Sequence, residues 1–252
     1  MYRVVAVDLD GTMLRSDSTM SPRTISVLNK CALNGAKVVV ATGRAPCTAA
    51  LVIPPDFPQA AWAYFNGSEV YENGRRIAQN ALKPGLAKEI VQAILTISPK
   101  TLVYAGIGDQ LYANQPMNST VPHFIVDLCA VMDKPVAKVA FDRSRIEDVD
   151  MLRSSLPSGC RLIITSGARL GEIMTTTATK AWALEFLVGR WGLSMSDVIA
   201  FGDETNDVEM IQKAGFGVAM ANAHPEVLAV ADKIAPLNDQ DGVAQILESL
   251  LP

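Results

Sequence analysis

Two acidic clusters stand out in the 252-residue chain, Asp8-Leu9-Asp10-Gly11-Thr12 near one end and Gly202-Asp203-Glu204-Thr205-Asn206-Asp207 near the other. Asp8 and Asp10 stand two apart where the apolar run Val4-Val5-Ala6-Val7 ends. On an extended strand that spacing puts both carboxylates on one face. Acids at close range raise one another's pKa, so the pairing is unfavourable unless it has a use. The bland alternative is an Asx turn with Gly11. The second cluster also follows an apolar run, Val198 to Phe201, and Asp207 would in any case complement a helix N-terminus. Together the acids form an oxygen-rich set suited to Mg²⁺, a hard cation that takes carboxylate, carbonyl and water ligands.

Two further segments are what a phosphate would need. Thr42-Gly43 follows an apolar run and leads toward Ala45-Pro46, offering a hydroxyl and backbone amides at a helix start. Lys180 lies just after Thr179, a capping residue type, at another helix start. A cation is misplaced there for helix stability. Without the other motifs it would read as an ordinary solvated lysine.

The composition agrees by exclusion. With 22 Lys plus Arg and 26 Asp plus Glu the net charge is −4, and there is no basic run of the kind a nucleic-acid surface needs. Only His123 and His224 are present, so chemistry built on several histidines is ruled out. Cys31, Cys47, Cys129 and Cys160 are far apart, form no CxxC pair and read as buried small hydrophobes. Nothing approaches the roughly 18 consecutive apolar residues of a membrane span. The start Val4–Val7, cut by Asp8, is too short for a signal-peptide core. The expectation is a soluble cytoplasmic protein with no nucleic-acid or membrane partner. Its oligomeric state is not legible.

The elements that must position these residues alternate between strand and helix. Strands are expected at Val4–Val7, Lys37–Ala41, Trp62–Phe65, Val198–Phe201, Gly217–Met220 and Lys233–Ala235, and a hairpin at Glu69–Ile77 around Asn73-Gly74. Helices are expected after Ser21-Pro22, after Thr179 (ended by Gly192), at Asp207–Ala214, at Pro225–Ala231 and from Asp241. This pattern implies α/β architecture, a doubly wound parallel Rossmann-like sheet with ligands at the carboxyl ends of its strands. The stretch from 82 to 174 has the same alternation without a polar motif. It includes helices at Leu86–Ile97 and Ile146–Ser155, and strands near Leu102–Ala105, Leu111–Ala113, Val136–Phe141, Arg161–Thr165 and Glu172–Met174. It reads as an inserted, smaller α/β cap domain in a core of residues 1–81 and 175–252, with hinges at Asn80–Pro84 and Thr175–Thr179.

In this order, DxDGT at 8–12, TGR at 42–44, NG at 66–67, Lys180, GDxxND at 202–207, GVAMANA at 217–223 and DGVA at 241–244 resemble the haloacid dehalogenase (HAD) superfamily, specifically its Cof-like phosphatases. The insert's place between residues 45 and 179 is similar to their α/β type II caps. The resemblance implies a Mg²⁺-dependent phosphatase of small phosphorylated metabolites, sugar phosphates or cofactor phosphates. Asp8 would be the nucleophile that forms an aspartyl phosphate, and Asp10 the general acid and base. Mg²⁺ would be held by Asp8, the Asp10 carbonyl and Asp203, with Asp207 behind them. Thr42, the Leu9 and Gly43 amides, Lys180 and Asn206 would hold the phosphoryl oxygens. Arg44 is a substrate contact or a structural ion-pair partner. The family usually has glycine after the motif lysine, where this chain has Ala181, and Trp182 belongs either to the core or to the cap boundary. The competing readings are a sugar-phosphate mutase with the same aspartyl phosphate and a non-catalytic phosphorylated switch, against which Asp10 speaks.

Overall fold

Val4–Val7 (β1) is apolar and buried at every position, as a strand covered on both faces must be. The computed structural model describes residues 2–55, 57–117, 120–164 and 170–251. In chain order it continues with α1 (Pro22–Leu33), β2 (Lys37–Ala41), α2 (Pro46–Ala49), β3 (Ala61–Tyr64), β4 (Glu69–Glu72), β5 (Arg75–Gln79) and α3 (Pro84–Ile97). There follow β6 (Val103–Ile107), β7 (Gln110–Ala113), β8 (Phe124–Ile125), α4 (Leu128–Val131), β9 (Lys138–Asp142), α5 (Val149–Ser155), β10 (Cys160–Ile164) and β11 (Leu170–Thr175). The last elements are α6 (Lys180–Arg190), β12 (Val198–Gly202), α7 (Val208–Lys213), β13 (Phe216–Met220), α8 (Pro225–Val230), β14 (Lys233–Ala235) and α9 (Gly242–Leu250). The expected strand Arg161–Thr165 corresponds to β10, and Thr165 lies outside the described residues.

The chain divides into two units, one of Met1–Gly43, Leu51–Ala78 and Thr179–Pro252, the other of Arg44–Ala50 and Gln79–Ala178. The first is built on a sheet of order β14-β13-β12-β1-β2-β3-β4-β5. Its strands from β14 to β3 run parallel, and β4 turns antiparallel to β3. Alternate residues of the central strands face opposite ways. Val4, Ala6, Val39, Ala41, Val198 and Ala200 pack with Leu184 and Leu187 of α6 and Met210 of α7. Val5 and Ile199 line a small cavity with Cys31 of α1 and Leu247 of α9. This is the α/β layering that the strand and helix alternation implies.

Local chemistry sets the helix starts. Ser21 accepts a hydrogen bond from the Thr24 amide at 3.0 Å with Pro22 at the first helical position, and Thr179 accepts one from the Trp182 amide at 2.9 Å. Each such cap satisfies an amide that the helix leaves unpaired. Asn73 and Gly74 turn the β4–β5 hairpin with φ of +51° and +72°. Trp182 stacks on Phe186 and packs at the edge of the first unit's core, and Ala181 is buried in that core.

The second unit carries a sheet of order β10-β11-β9-β6-β7-β8, antiparallel except for the β7–β8 pair. Ile90 and Ile94 of α3, Leu128 of α4 and Leu152 of α5 pack with Val103, Val139, Phe141 and Ile173 of the sheet. The segment Arg44–Ala50 groups with this unit as well as the longer stretch. Asn80 Oδ1 accepts from the hydroxyls of Thr175 and Thr177, both at 3.1 Å, tying together the two strands of chain at its border. All four cysteines are free thiols, but only Cys31 is buried; the other three are half-buried, because they lie on short or edge elements. Among the described residues no helix is long and apolar enough to cross a membrane.

Candidate active site

β1 is the strand at which the sheet order reverses, with β2 on one side and β12 on the other. Loops leaving the carboxyl ends of such neighbours part and open a crevice. Asp8 is the first residue beyond β1. Its amide donates to the Phe201 carbonyl at 3.1 Å, continuing the register that pairs Val7 with Phe201. The chain then coils over Leu9–Met13, and Gly11 turns it at φ +77°. A Cβ on Gly11 would lie 2.2 Å from Asp203 Oδ2, so both the backbone and the space require glycine. Thr12 follows, and its hydroxyl donates to Asp203 Oδ1 at 2.6 Å.

Lys180, the first residue of α6, is 1% exposed. Its Nζ donates to Asp8 Oδ1 and to Asp207 Oδ1, both at 2.7 Å. The cation that is misplaced for its helix is therefore placed for two carboxylates. Asp207 Oδ2 accepts from the amides of Asp203 and Glu204, each at 3.1 Å, which sets the loop that carries Asp203. The Asp203 carbonyl accepts from the His224 amide at 2.7 Å. The carboxylates of Asp8, Asp203 and Asp207 offer oxygens that lie within 4.8 Å of one another.

Burial pushes the Asp8 carboxyl well above its ordinary range; Lys180 pulls it back, and the charges of Asp207 and Asp203 push it up further. Asp203 is raised to about 7, first by burial and then, against the Thr12 hydroxyl, by Asp207. Burial alone would lower Lys180, but Asp207 and Asp8 hold its pKa above the ordinary lysine value. When all are ionised, three carboxylates face one ammonium, leaving two negative charges uncompensated. A divalent cation carries that charge, and carboxylate oxygens are the donors a hard one takes. The residues fit such an ion. Asp207 has both oxygens in hydrogen bonds, so Asp8 and Asp203 are the better-placed ligands.

The structure distributes the other expected residues unevenly. Asp10 is exposed, and its carboxylate is not one of the three. The backbone leaves the strand at Leu9, so the period of two no longer sets Asp10 beside Asp8. Leu9 is fully buried. Thr42 is fully buried, its amide donating to the Ala63 carbonyl at 2.8 Å. Asn206 Nδ2 donates to Asn66 Oδ1 at 2.8 Å, and a Cβ on Gly43 would come 3.1 Å from that same oxygen. Arg44 belongs to the second unit, where its Nη1 donates to the Thr48 carbonyl at 3.3 Å. Three contributors escaped the sequence reading as functional residues: Thr12, Asn66 and Asn222, whose Nδ2 donates to the Gly11 carbonyl at 2.7 Å. Thr12 and Asn66 lie inside motifs that were read only for their acids and their turn. Asn222 likewise lies inside the motif GVAMANA at 217–223, and its partner, 211 residues away, is not legible in that motif.

Comparison with known proteins places this geometry. The family model of haloacid dehalogenase-like hydrolases matches residues 5–247. A putative phosphatase of Haemophilus influenzae is 31% identical, the match covering 100% of this chain and 99% of that one. A 5-amino-6-(5-phospho-D-ribitylamino)uracil phosphatase of Bacillus subtilis is 27% identical, over 97% and 96% of the two chains. Among solved structures, a Thermotoga maritima protein superposes with a TM-score of 0.85 at 26% identity, over 100% of this chain and 98% of its own. Matched by the family model over residues 5–247 and along its length by relatives named as phosphatases, the chain belongs to the haloacid dehalogenase-like hydrolases.

Proposed function

We propose that the enzyme is a Mg²⁺-dependent phosphatase that hydrolyses small phosphorylated metabolites through an aspartyl phosphate on Asp8. The observation that carries this reading is the buried Asp8 carboxylate, held by Lys180 through one oxygen at the switch point of the sheet. With Oδ1 in that ion pair, Oδ2 is the oxygen that attacks phosphorus. The bond from phosphorus to the leaving oxygen breaks, and Asp10 gives that oxygen its proton. Water then attacks the aspartyl phosphate, Asp10 takes a proton from it, and the bond to Asp8 breaks to release orthophosphate. Exposure of Asp10 to solvent suits a group that exchanges a proton in each half of the cycle. Lys180, Thr42, the amides of Leu9 and Gly43, and Asn206 stabilise the charge on the phosphoryl oxygens. Mg²⁺, held by Asp8, Asp203 and the Asp10 carbonyl, would neutralise the clustered acids and draw charge from the transferring group.

These residues address only the phosphoryl group, so the choice of leaving group falls to the inserted unit, read from the sequence as residues 82–174, with Arg44 as a further contact. The Bacillus relative acts on a phosphorylated ribityl compound by its name, which supports sugar-like or cofactor-like phosphates as the substrate class. A phosphate-release assay over a panel of phosphometabolites, with and without Mg²⁺, tests the reading. Wild type should release free phosphate only with the cation, and Asp8→Asn should fold and release none. Turnover retained in Asp8→Asn removes Asp8 as nucleophile, and transfer to a second hydroxyl without free phosphate identifies a mutase.

A further inference from the structure

The segment Phe65–Asn66–Gly67 has no part in the reaction as written, yet it has unusual backbone. Its three residues take φ of +51°, +55° and +89°, left-handed in succession. Two of them carry a Cβ, and each such residue costs about 1 kcal/mol or more. Fixed neighbours hold the loop in this shape. The Asn66 amide donates to the Thr42 carbonyl at 2.8 Å. Gly67 comes so close to the start of α6 that a Cβ on it would lie 2.1 Å from the Thr179 carbonyl oxygen. The Asn66 side chain, fully buried, accepts from Asn206 Nδ2 at 2.8 Å. One strained loop thus touches the three segments that carry Thr42, Lys180 and Asn206.

Asn206 depends on this contact more than the others do. Its Oδ1 is buried and has no hydrogen-bond partner among the described residues. The bond to Asn66 is then what sets which way its amide faces, since the terminal torsion of asparagine is broad and roughly two-fold. Turned over, the amide would present its carbonyl oxygen, an acceptor, where a donor is required.

We infer that Asn66 is a positioning residue: its Oδ1 holds one N–H of Asn206 so that the other is aimed at a phosphoryl oxygen. The inference rests on the phosphatase reading and assigns to the turn-forming asparagine a role in transition-state binding. Asparagine suits both demands, because it tolerates the left-handed conformation and carries the acceptor.

The test is the cost of Asn206→Ala, read as kcat/KM on p-nitrophenyl phosphate and as inhibition by inorganic phosphate, in three backgrounds. In wild type it should cost about tenfold, the scale of one hydrogen bond to a charged group. Asn66→Gly keeps the backbone, since glycine adopts this φ freely, and removes the acceptor. It should melt near the wild-type temperature, lose about tenfold in kcat/KM, and make Asn206→Ala cost less than about twofold, the non-additivity of a coupled pair. Asn66→Asp retains an acceptor oxygen, so in that background Asn206→Ala should again cost about tenfold. An equal cost of Asn206→Ala in wild type and Asn66→Gly would overturn the inference, as would an Asn66→Gly enzyme with wild-type kcat/KM. Should Asn66→Gly not fold, absence of any cost in the Asn66→Asp background overturns it. Equal activity of wild type and Asp8→Asn would instead remove the phosphatase reading, and the inference with it.

Discussion

Replacing Lys180 with methionine removes the ammonium between Asp8 and Asp207 and keeps an unbranched chain of similar length. Both contacts are 2.7 Å long, and the three side chains are at most 7% exposed. At an effective dielectric constant of about 20, each contact supplies about 6 kcal/mol of Coulomb attraction. Most of that offsets the cost of taking the ammonium out of water, and breaking a buried pair from one side leaves a net loss of about 3–5 kcal/mol. For a chain of this size the melting temperature should fall by about 6–20 °C. The sign with pH follows from which groups titrate. Lys180, with its pKa raised, stays charged from pH 5 to 8, and its contribution is lost only as pH rises far beyond that window. The carboxyls of Asp8 and Asp203 are raised in the folded state, so their favourable contribution is complete below about pH 4 and is lost as pH rises through the folded value, about 7 for Asp203. Lys180 lowers both. Its removal raises them further, so the gap between Lys180→Met and wild type should be widest at pH 8 and narrow at pH 5. Circular-dichroism melts of the cation-free protein at pH 5, 6.5 and 8, with phosphate release measured in parallel, check this. A loss of about 10²-fold or more in kcat is expected. A melting temperature within about 2 °C of wild type at pH 8, or a gap that widens on acidification, would refute the reasoning.

Three further variants probe the site and its surroundings. Asp203→Asn keeps an acceptor for Thr12 but removes a charge that ionises near pH 7, so the cation-free variant should be more stable than wild type at pH 8, with the gap closing as pH falls toward 4. Wild type should melt higher when a divalent cation is added and the same variant should not, measurable by differential scanning fluorimetry. Gly11→Ala places a methyl on Asp203 Oδ2 and a Cβ at φ +77°, so hydrolysis should fall by at least about tenfold with a lower melting temperature. Ser21→Ala serves as a control away from the site: loss of the α1 cap should cost about 1 kcal/mol in chemical denaturation and leave kcat unchanged.

Much of this was legible along the chain. The strand runs of β1, β2 and β12 are continuous and apolar because both their faces are covered, and such runs announce themselves. Ser21 and Thr179 declare helix starts because a cap is a contact between residues three apart. Asp8, Lys180, Asp203 and Asp207 were recognisable as a group from their residue types and their places at element ends, and the fold brings them together. Asp10 shows the limit of that method. Its pairing with Asp8 follows from the strand's period of two, and the coil at Leu9 breaks the period one residue before it applies.

What the sequence by itself determined, then, is the class of fold, the supply of carboxylates and the family to which the chain belongs, since these rest on local patterns and on motif order. Only the tertiary structure decided which oxygens share a partner. Thr12 serves Asp203 across 191 residues, Asn222 serves Gly11 across 211, and Asn66 serves Asn206 across 140. The physical reason is that a hydrogen bond depends on distance and direction in space. Strand order sets both, by placing β12 beside β1, and no spacing along the chain records it.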